Sequence, residues 1–394
     1  MRFRSLTAWA TLLLLAAGCG EQKGGGPAAA GVARTRPGVT WTTAFEDTAV
    51  RTDPRIVALG PDDVWVFGGR RPEDAAGWPA AWHWNGRDWT RSDPSGGRVG
   101  AVLAAGASSA SDVWAVTGGG SGSGATVLHW DGARWTVDRR LPGFSVTDIE
   151  VLSPQDVRVY GVTGPAHGVA WTRTAAGWSR AALPFPPTEV SARSARDVWA
   201  ISFDQRLFHH DGARWRPVSL GRALPPGGRH QLMQVTATAR GVWLTAEVTG
   251  DEPPRSIPSG QDAPPAEPNG GPAGPRGAVG PVLSSYLLRG DPAGSRWTAE
   301  NVTTKAGRLN EAAAPVTDAD GGVWLIGSLD VNAYESALAY RTPAGAWTRA
   351  AVRAPRFGTF EVRAFARVPG TGRFLVAGMD DERGAVLSAS PPAN

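Results

Sequence analysis

Histidines are the residues of this chain best suited to metal binding or acid–base catalysis, and the sequence contains six of them. Three of the six, His83, His129 and His209, share one context, since each is followed by another ring-bearing residue. The repeats described below predict a ring of seven units. Equivalent side chains of neighbouring units in such a ring stand about 50° apart and cannot converge on one metal ion. The sequence also lacks the His-Glu-x-x-His, Cys-x-x-Cys and Gly-Lys-Ser/Thr spacings. Packing is therefore the preferred interpretation of these histidines, and we expect no metal and no cofactor.

Acidic, basic and aromatic residues in segments of loop composition are the second set of candidates. They vary from segment to segment, which is typical of a binding face and also of loops under no constraint. We assign no catalytic residue and predict a ligand-binding face. Its candidate residues are Arg70, Arg71, Glu73, Trp78, Asp204, Arg206, Asp330, Asn332, Tyr334, Glu335, Asp380, Asp381 and Arg383.

The single cysteine, Cys19, follows an N-terminal export pattern. Arg2 and Arg4 precede an apolar run at residues 6–17, whose 12 positions are too few to span a bilayer. The residues leading into Cys19 resemble the lipobox of bacterial lipoproteins, although Ala16 stands where leucine is more usual. The resemblance implies a signal peptide at residues 1–18, acylation of Cys19, and a lipid anchor at the outer face of the plasma membrane or in the periplasm and outer membrane. An ordinary secretory signal with an incidental cysteine is the alternative.

Composition favours one large exported domain. The chain has 394 residues, of which 42% are hydrophobic, and 18 tryptophans against 11 phenylalanines and 4 tyrosines. The formal charge of +4 includes Arg2 and Arg4, and the other basic residues are spread among acids without a basic run. This pattern argues against a nucleic-acid partner. We expect a monomer without disulfides.

A repeated Asp-Val-Trp pattern predicts the architecture. It recurs seven times with gradual erosion, at intervals of 41 to 50 positions apart from one interval of 81. Its last residues are Trp65, Trp114, Arg158, Trp199, Trp243, Trp324 and Phe374. A second set of landmarks, predicted to begin outer strands, comprises Trp41, Trp89, Trp135, Trp178, Trp215, Trp297 and Trp347. Together they predict an all-β, seven-bladed propeller with four antiparallel strands per blade.

The order of these landmarks predicts how the ring closes. The chain opens with an outer strand at Trp41 and ends after a third strand near Leu387, so the N-terminal strand should complete the last blade. We therefore expect a flexible tether at residues 19–40 and the propeller at residues 41–390. The long interval contains a Pro- and Gly-rich insertion at residues 249–281 in blade five, which we expect to be disordered.

Turn chemistry predicts two unlike rims. Asn85-Gly86, Asp131-Gly132 and Asp211-Gly212 favour tight hairpins, with positive φ at both central residues, between third and fourth strands. Short Pro-containing turns between first and second strands should lie at the same end, which we call the regular rim. The opposite end, the variable rim, carries the connections between second and third strands and between blades. All the candidate binding residues are predicted there.

The repeat also resembles known propellers. Gly68-Gly69 after a second strand, with Trp89 opening the fourth, resembles the kelch repeat and the propeller domain of galactose oxidase. This implies the fold only, because a galactose-oxidase copper site requires a cysteine within the domain. Our preferred hypothesis is a membrane-anchored, non-catalytic binding or scaffold module for a protein or a cell-envelope polymer. The alternative is an exported glycan or small-molecule hydrolase or lyase that uses carboxylates on the variable rim. A structural element of a larger envelope complex is a third possibility.

Overall fold

The computed structural model shows an all-β protein with almost no helix. It describes residues 34–35, 39–51, 54–69, 79–94, 100–118, 124–164, 166–224, 228–250, 282–307, 309–318, 320–329, 335–356, 360–380 and 383–390. In these ranges the helical segments are a 3₁₀ turn at Thr48–Arg51 and a single α-helical turn, α1, at Val302–Lys305. None of the described helical segments is long and apolar enough to cross a bilayer.

Seven antiparallel sheets of four strands form the blades, which we number in chain order. Two strands come first in the chain, β1 (Arg34–Thr35) and β2 (Thr40–Glu46). Blade 1 comprises β3 (Arg55–Gly60), β4 (Asp63–Gly69), β5 (Pro79–Trp84) and β6 (Trp89–Ser92). Blade 2 comprises β7 (Val102–Ser109), β8 (Asp112–Gly118), β9 (Ala125–Trp130) and β10 (Trp135–Leu141). Blade 3 comprises β11 (Phe144–Ser153), β12 (Asp156–Thr163), β13 (His167–Thr174) and β14 (Gly177–Ala182). Blade 4 comprises β15 (Pro187–Ser194), β16 (Asp197–Ser202), β17 (Leu207–His210) and β18 (Trp215–Val218).

The last three blades follow the same order. Blade 5 comprises β19 (Arg229–Thr238), β20 (Gly241–Thr249), β21 (Val282–Gly290) and β22 (Trp297–Asn301). Blade 6 comprises β23 (Asn310–Thr317), β24 (Val323–Ser328), β25 (Ser336–Arg341) and β26 (Trp347–Ala351). Blade 7 comprises β27 (Glu361–Arg367), β28 (Phe374–Met379) and β29 (Gly384–Ser390), with β2 as its fourth strand.

The first strands of successive blades pack against one another, and β27 packs against β3, so the ring is closed. The predicted closure is confirmed, because β2 pairs with β29 from Thr40 opposite Ser390 to Glu46 opposite Ala385. The structure adds a parallel pairing of β1 with β26, within the segment expected to be a tether. The seven-bladed prediction is thus confirmed.

The core lies in the seams between blades. The described buried hydrophobic residues fall into seven clusters, each with members from two neighbouring blades. The repeated second-strand tryptophans occupy these seams. Trp65, for example, packs with blade 2 and Trp114 packs with blade 3. Flat aromatic surface is therefore used to stack one blade on the next, which favours packing over carbohydrate binding at these positions.

The hairpins of the regular rim differ from the predicted turn type. The three predicted Asn-Gly and Asp-Gly turns are four-residue loops in which only the glycine has a positive φ, 91° at Gly86. The Asn85 side chain closes the loop, because its Oδ1 accepts hydrogen bonds from the amides of Arg87 and Asp88 at 3.0 and 2.9 Å. Asp131 and Asp211 do the same in blades 2 and 4. The prediction of positive φ at both central residues was wrong, because a side chain that caps the loop removes the need for it.

Candidate functional site

Three inner-strand residues of different blades, Arg55, Asp148 and Glu189, occupy the same level around the propeller axis. Each lies opposite the residue two positions after the last residue of its blade's Asp-Val-Trp pattern. Asp148 and Glu189 each follow a register shift in the inner strand, a β-bulge that re-aims the next side chain. Arg55 interacts electrostatically with both carboxyl groups. Because blade 2 separates blade 1 from blade 3, these interactions pass across the central space of the ring.

Asp148 is held between two blades. One carboxylate oxygen accepts a hydrogen bond from the Ile149 amide at 2.7 Å, and the other accepts from the Val190 amide of blade 4 at 2.9 Å. Two positions further along β11, Glu150 accepts from the amide of Ala192. Both carboxylates therefore satisfy amides on the inner edge of β15, which has no neighbouring strand on that side.

Glu189 has a different environment. Among the described residues its carboxyl group has no hydrogen-bond partner, and its electrostatic neighbours are Asp148 and Arg55. Arg55 is itself directed by hydrogen bonds from Nε to the Leu103 carbonyl at 3.0 Å and from Nη1 to the Pro54 carbonyl at 3.1 Å. Arg55 thus brings a fixed positive charge to Asp148 and Glu189. We call Arg55, Asp148, Glu150 and Glu189 the axial cluster.

Protons are held unusually tightly in the axial cluster. The three carboxyl groups are half-buried, and the surrounding inner strands replace much of the water that would stabilise their charge. Burial and, to a lesser extent, the charge of Asp148 raise the pKa of Glu189 to about 8, against the opposing effect of Arg55. Burial also raises the pKa of Asp148 to about 6 against its two amide hydrogen bonds, and raises the pKa of Glu150 well above its usual value. At neutral pH the cluster therefore combines an ionised Asp148 with a protonated Glu189.

Neighbouring residues of blade 3 complete this electrostatic environment. Arg158 stands where most blades have tryptophan, and Asp156 binds its guanidinium through two oxygens at 2.7 and 3.1 Å. Arg158 also donates to the Ala195 carbonyl of blade 4 at 3.2 Å. Tyr160 is buried beside it, and burial raises the pKa of its hydroxyl. In the described part of the chain, no group of three or more His, Cys, Asp or Glu side chains is placed to hold a metal ion.

Sequence reasoning missed the axial cluster. Inner strands of a propeller are expected to be short on charge and rich in small apolar residues, a description that fits Ile56 to Leu59 but not β11. The available signal was the alternation of Asp148 and Glu150 along β11, which puts two acids on one face of a strand predicted to line the axis. What the sequence could not provide was the bulge before Asp148, since a register shift depends on pairing.

Of the predicted binding residues, Asp204 and Arg206 lie in the described connection between β16 and β17. They are exposed and form an ion pair of 3.7 Å. Asp204 also accepts a hydrogen bond from the Ser202 hydroxyl, and the Arg206 guanidinium lies 5.0 Å from the centroid of the Phe208 ring. Between them Gln205 adopts a φ of 61°, and its Oε1 accepts from the Leu232 amide of blade 5 at 2.6 Å. This short connection is therefore firmly held while its charges face solvent.

The other described candidates lie on blades 6 and 7. Asp380 accepts from the amide of Arg383 at 2.6 Å and pairs with its guanidinium at 3.1 Å. Arg383 also donates to the Arg356 carbonyl at 2.8 Å, in the connection between blades 6 and 7. Glu335 is exposed, and its backbone forms an isolated parallel β-bridge with that of Phe360. These residues are two or three blade positions, about 100° to 150° around the ring, from Asp204 and Arg206, so only a partner large enough to cover much of the rim would contact both groups.

The remaining candidates lie outside the described residues. They are Cys19, Arg70, Arg71, Glu73, Trp78, Asp330, Asn332, Tyr334 and Asp381, together with residues 251–281 of the insertion predicted at 249–281, whose first residue, Thr249, lies in β20. Their assignment to the variable rim stays a prediction.

The three repeated histidines form a structural unit, as their repetition predicted. His83, His129 and His209 bind the aspartate of their own blade's Asp-Val-Trp pattern at 2.9, 2.9 and 3.0 Å. Each imidazole also stacks on the tryptophan of that pattern, with centroid distances of 4.0 to 4.2 Å. The pairs are fixed within separate blades, where they tie the second strand to the third.

Comparisons with known proteins support the fold. No family model and no curated protein matches the sequence. The chain is similar in structure to YCF48 bound to D1 peptide, with a TM-score of 0.57 and 13% identity over 92% of this chain and 100% of that one. It is also similar to YCF48 from Cyanidioschyzon merolae, with a TM-score of 0.55 and 13% identity over 90% and 99% of the two chains. A GH74 xyloglucanase from Xanthomonas campestris gives a TM-score of 0.51 and 11% identity over 88% of this chain and 60% of that one. At such low identities the likeness establishes a β-propeller fold that is found both in a peptide-bound protein and in a hydrolase.

Proposed function

We propose that this protein is an exported, lipid-anchored β-propeller that binds a protein partner, or a cell-envelope polymer, through its variable rim without catalysing a reaction. The observation that carries the proposal is the contrast between the two rims. On the regular rim, first and second strands are joined by two to six residues, as are third and fourth strands. On the variable rim, the connections between second and third strands range from 3 to 32 residues.

The two rims also differ in chemistry. The regular rim repeats one solution, in which a side chain at the first loop position caps the turn in blades 1, 2 and 4. Polar groups that are satisfied internally in this way have little capacity left for a partner. The variable rim offers exposed charges that differ between blades, as at Asp204, Arg206 and Glu335. Such variation on a rigid scaffold is how many folds present binding residues. The likeness to a propeller that was solved with a bound peptide is consistent with this use.

A photo-crosslinking experiment in the native host tests the binding proposal. A photoreactive amino acid replaces Arg206 or Glu335 on the variable rim, and, as matched controls, Arg87 or Arg214 on the regular rim, all four being exposed. We expect a discrete crosslinked product only from the variable-rim positions. That product should disappear when Arg70, Arg71 and Trp78 are changed together to alanine. Crosslinks from the regular rim alone would reject the proposal.

Lipid anchoring is tested separately. Cells are labelled with an alkyne analogue of palmitate, and the wild-type protein is compared with a Cys19→Ser variant. The proposal requires label and membrane association in the wild type and the loss of both in the variant. Equal membrane association of the unlabelled variant would overturn the anchor while leaving the binding proposal standing.

The axial cluster favours a second candidate function, a glycan or small-molecule hydrolase or lyase. A protonated Glu189 beside an ionised Asp148 is the combination that acid–base catalysis uses. The amides that occupy both oxygens of Asp148 argue for a structural role instead. Turnover of any member of a glycan panel by the wild type, abolished in Glu189→Gln, would establish the enzyme. No turnover by the wild type would remove it.

A further inference from the structure

The seam between blades 3 and 4 is fastened by different groups from three other seams, of which only the seam between blades 4 and 5 uses a side chain of an inner strand. In three other seams a serine oxygen of one blade accepts an amide of the next inner strand: Ser191 from Ala237, Ser285 from Ala312, and Ser336 from Val362. Between blades 3 and 4 the acceptors are the carboxylates of Asp148 and Glu150. A serine hydroxyl does not titrate, whereas a carboxyl group changes both its charge and its hydrogen-bonding capacity with pH.

Each element packed against this fastening brings different groups to it. Against β11, strand β12 brings Arg158 and Tyr160, whereas β7 and β8 bring only Ala104 and Val116 at the level of Asp148. Against β15, strands β16 and β19 bring Ile201 and Gln234 at the level of Glu189. From across the axis, Arg55 of β3 brings the positive charge that interacts with Asp148 and Glu189.

Glu189 is therefore the one carboxyl group of the axial cluster for which the described residues provide no hydrogen bond. It lies on the strand that Asp148 holds, so a negative charge on Glu189 would repel the residue that fastens its own strand. Arg55 is a single cation and cannot neutralise two or three carboxylates.

We propose that the axial end of the seam between blades 3 and 4 is a proton-operated joint, tight while Glu189 carries a proton and loosened when Glu189 ionises. The ligand of this site is the proton itself. Loosening would release the β15 edge, where Val190 and Ala192 donate to blade 3. The proposal does not depend on the partner proposed above.

The sign of the effect follows from the direction of the pKa shift. Burial raises the pKa of Glu189 from an ordinary 4.5 to about 8, so between these values the folded protein binds a proton that the unfolded chain does not. The stability from this proton is fully present below pH 4.5 and is lost as pH rises through 8. The raised pKa of Asp148 acts in the same direction at lower pH, up to about 6.

Thermal unfolding across pH tests the joint. Glu189→Gln keeps the shape of the side chain and removes its titration, and Glu361→Gln, in the inner strand of blade 7, is the matched control. We expect the Tm of Glu189→Gln, relative to wild type, to rise by about 3 to 6 °C between pH 5 and pH 9. Glu361→Gln should follow the wild type throughout. Parallel curves for wild type and Glu189→Gln would overturn the proposal.

Two measurements on the folded protein locate the effect. The infrared band of a protonated carboxyl group at pH 7 should be weaker in Glu189→Gln than in the wild type, and an unchanged band would contradict the proposal. Hydrogen-exchange protection of the Val190 and Ala192 amides, corrected for the intrinsic rate, should fall about tenfold or more between pH 6 and pH 9 in the wild type but not in the variant. Equal protection at both pH values in the wild type would count against a joint at this seam.

Discussion

At the scale of single residues, the recurring unit is an aspartate that bonds to an imidazole which is itself stacked on a tryptophan. Blade 6 keeps the geometry with different residues, because the Tyr340 hydroxyl donates to Asp318 at 2.9 Å and its ring stacks on Trp324 at 4.3 Å. The repeated unit thus consists of an aspartate that accepts a hydrogen bond, a histidine or tyrosine ring that bonds to it, and a tryptophan on which that ring stacks. This supports a packing role, since the contact geometry is kept from blade to blade while the titrating group is not.

The unit differs in strength between blades, and this gives a prediction. Asp112 is 4% exposed and accepts from the Trp114 indole and from Ser108, besides its contact with His129. Asp63 bonds only to His83 among the described residues. We expect Asp112→Ala to lower the free energy of unfolding by about 2 to 4 kcal/mol and Asp63→Ala by about 1 to 2 kcal/mol. Urea unfolding followed by tryptophan fluorescence measures both, and equal losses would show that the extra hydrogen bonds add nothing.

Residue type and spacing predicted the packing role of the three repeated histidines but did not reveal the axial cluster. Repetition identifies packing positions because the same contact recurs in each blade. Asp148 and Glu189 are individual substitutions at a repeated level, and Arg55 joins them only through the closure of the ring. An electrostatic interaction between blades that are not neighbours leaves no periodic signal in the sequence.

At the scale of elements, the hairpin loops between third and fourth strands are closed by an ionised or polar side chain at their first position. The amides of Arg214 and Ala213 hold the pKa of Asp211 at about 2, so this cap remains ionised throughout the physiological range. Turn position and strand order could be predicted from Asn-Gly and Asp-Gly, but the turn type could not. An Asn-Gly or Asp-Gly dipeptide fits both a two-residue hairpin loop and a four-residue loop. In blade 1 the pairing of Trp84 with Trp89 fixes the four-residue loop.

One glycine in these turns has a second role. Gly294, with a φ of 66°, lies against the indole of Trp199, where a Cβ atom would collide with the ring, whereas Gly345 in the next blade has a φ of 87° and only the Arg341 side chain nearby. We expect Gly345→Ala to cost about 1 kcal/mol of unfolding free energy for the backbone alone, and Gly294→Ala about 2 to 4 kcal/mol. Chemical denaturation of the two variants checks the difference. If Gly294→Ala lowered the unfolding free energy no more than Gly345→Ala does, the Trp199 ring would be able to move away from the added methyl group at little cost.

At the scale of the whole molecule, stability depends on a ring that its first and last strands close. Trp41 of β2 is 4% exposed in the cluster shared by blades 6 and 7, and its indole donates to the Ala351 carbonyl of blade 6 at 3.3 Å. The closing strand is therefore joined both to its own blade and to the preceding one. Strand order alone predicted this closure, because the number of outer strands matches the number of blades only if the first one completes the last blade.

Closure predicts an unequal response to two tryptophan substitutions. Trp41→Ala should cost about 3 to 5 kcal/mol of unfolding free energy, because a buried seam loses its largest side chain. Trp89→Ala, at the equivalent position of blade 1 but half-buried, should cost less than half as much. Equilibrium urea unfolding measures both. If Trp41→Ala were the milder change, the closing strand would contribute little to the stability of the ring.

The pairing of β2 with β29 also has a consequence in time. The closing strand is synthesised well before its partner, and at about 5 to 20 residues per second the interval between Thr40 and Ser390 is about 20 to 70 s. Throughout that interval Trp41 lacks its partner strand and remains available to chaperones and proteases. A chain released before Gly384 lacks β29, the strand that pairs with β2, so closure of blade 7 distinguishes chains that contain this strand from chains that do not.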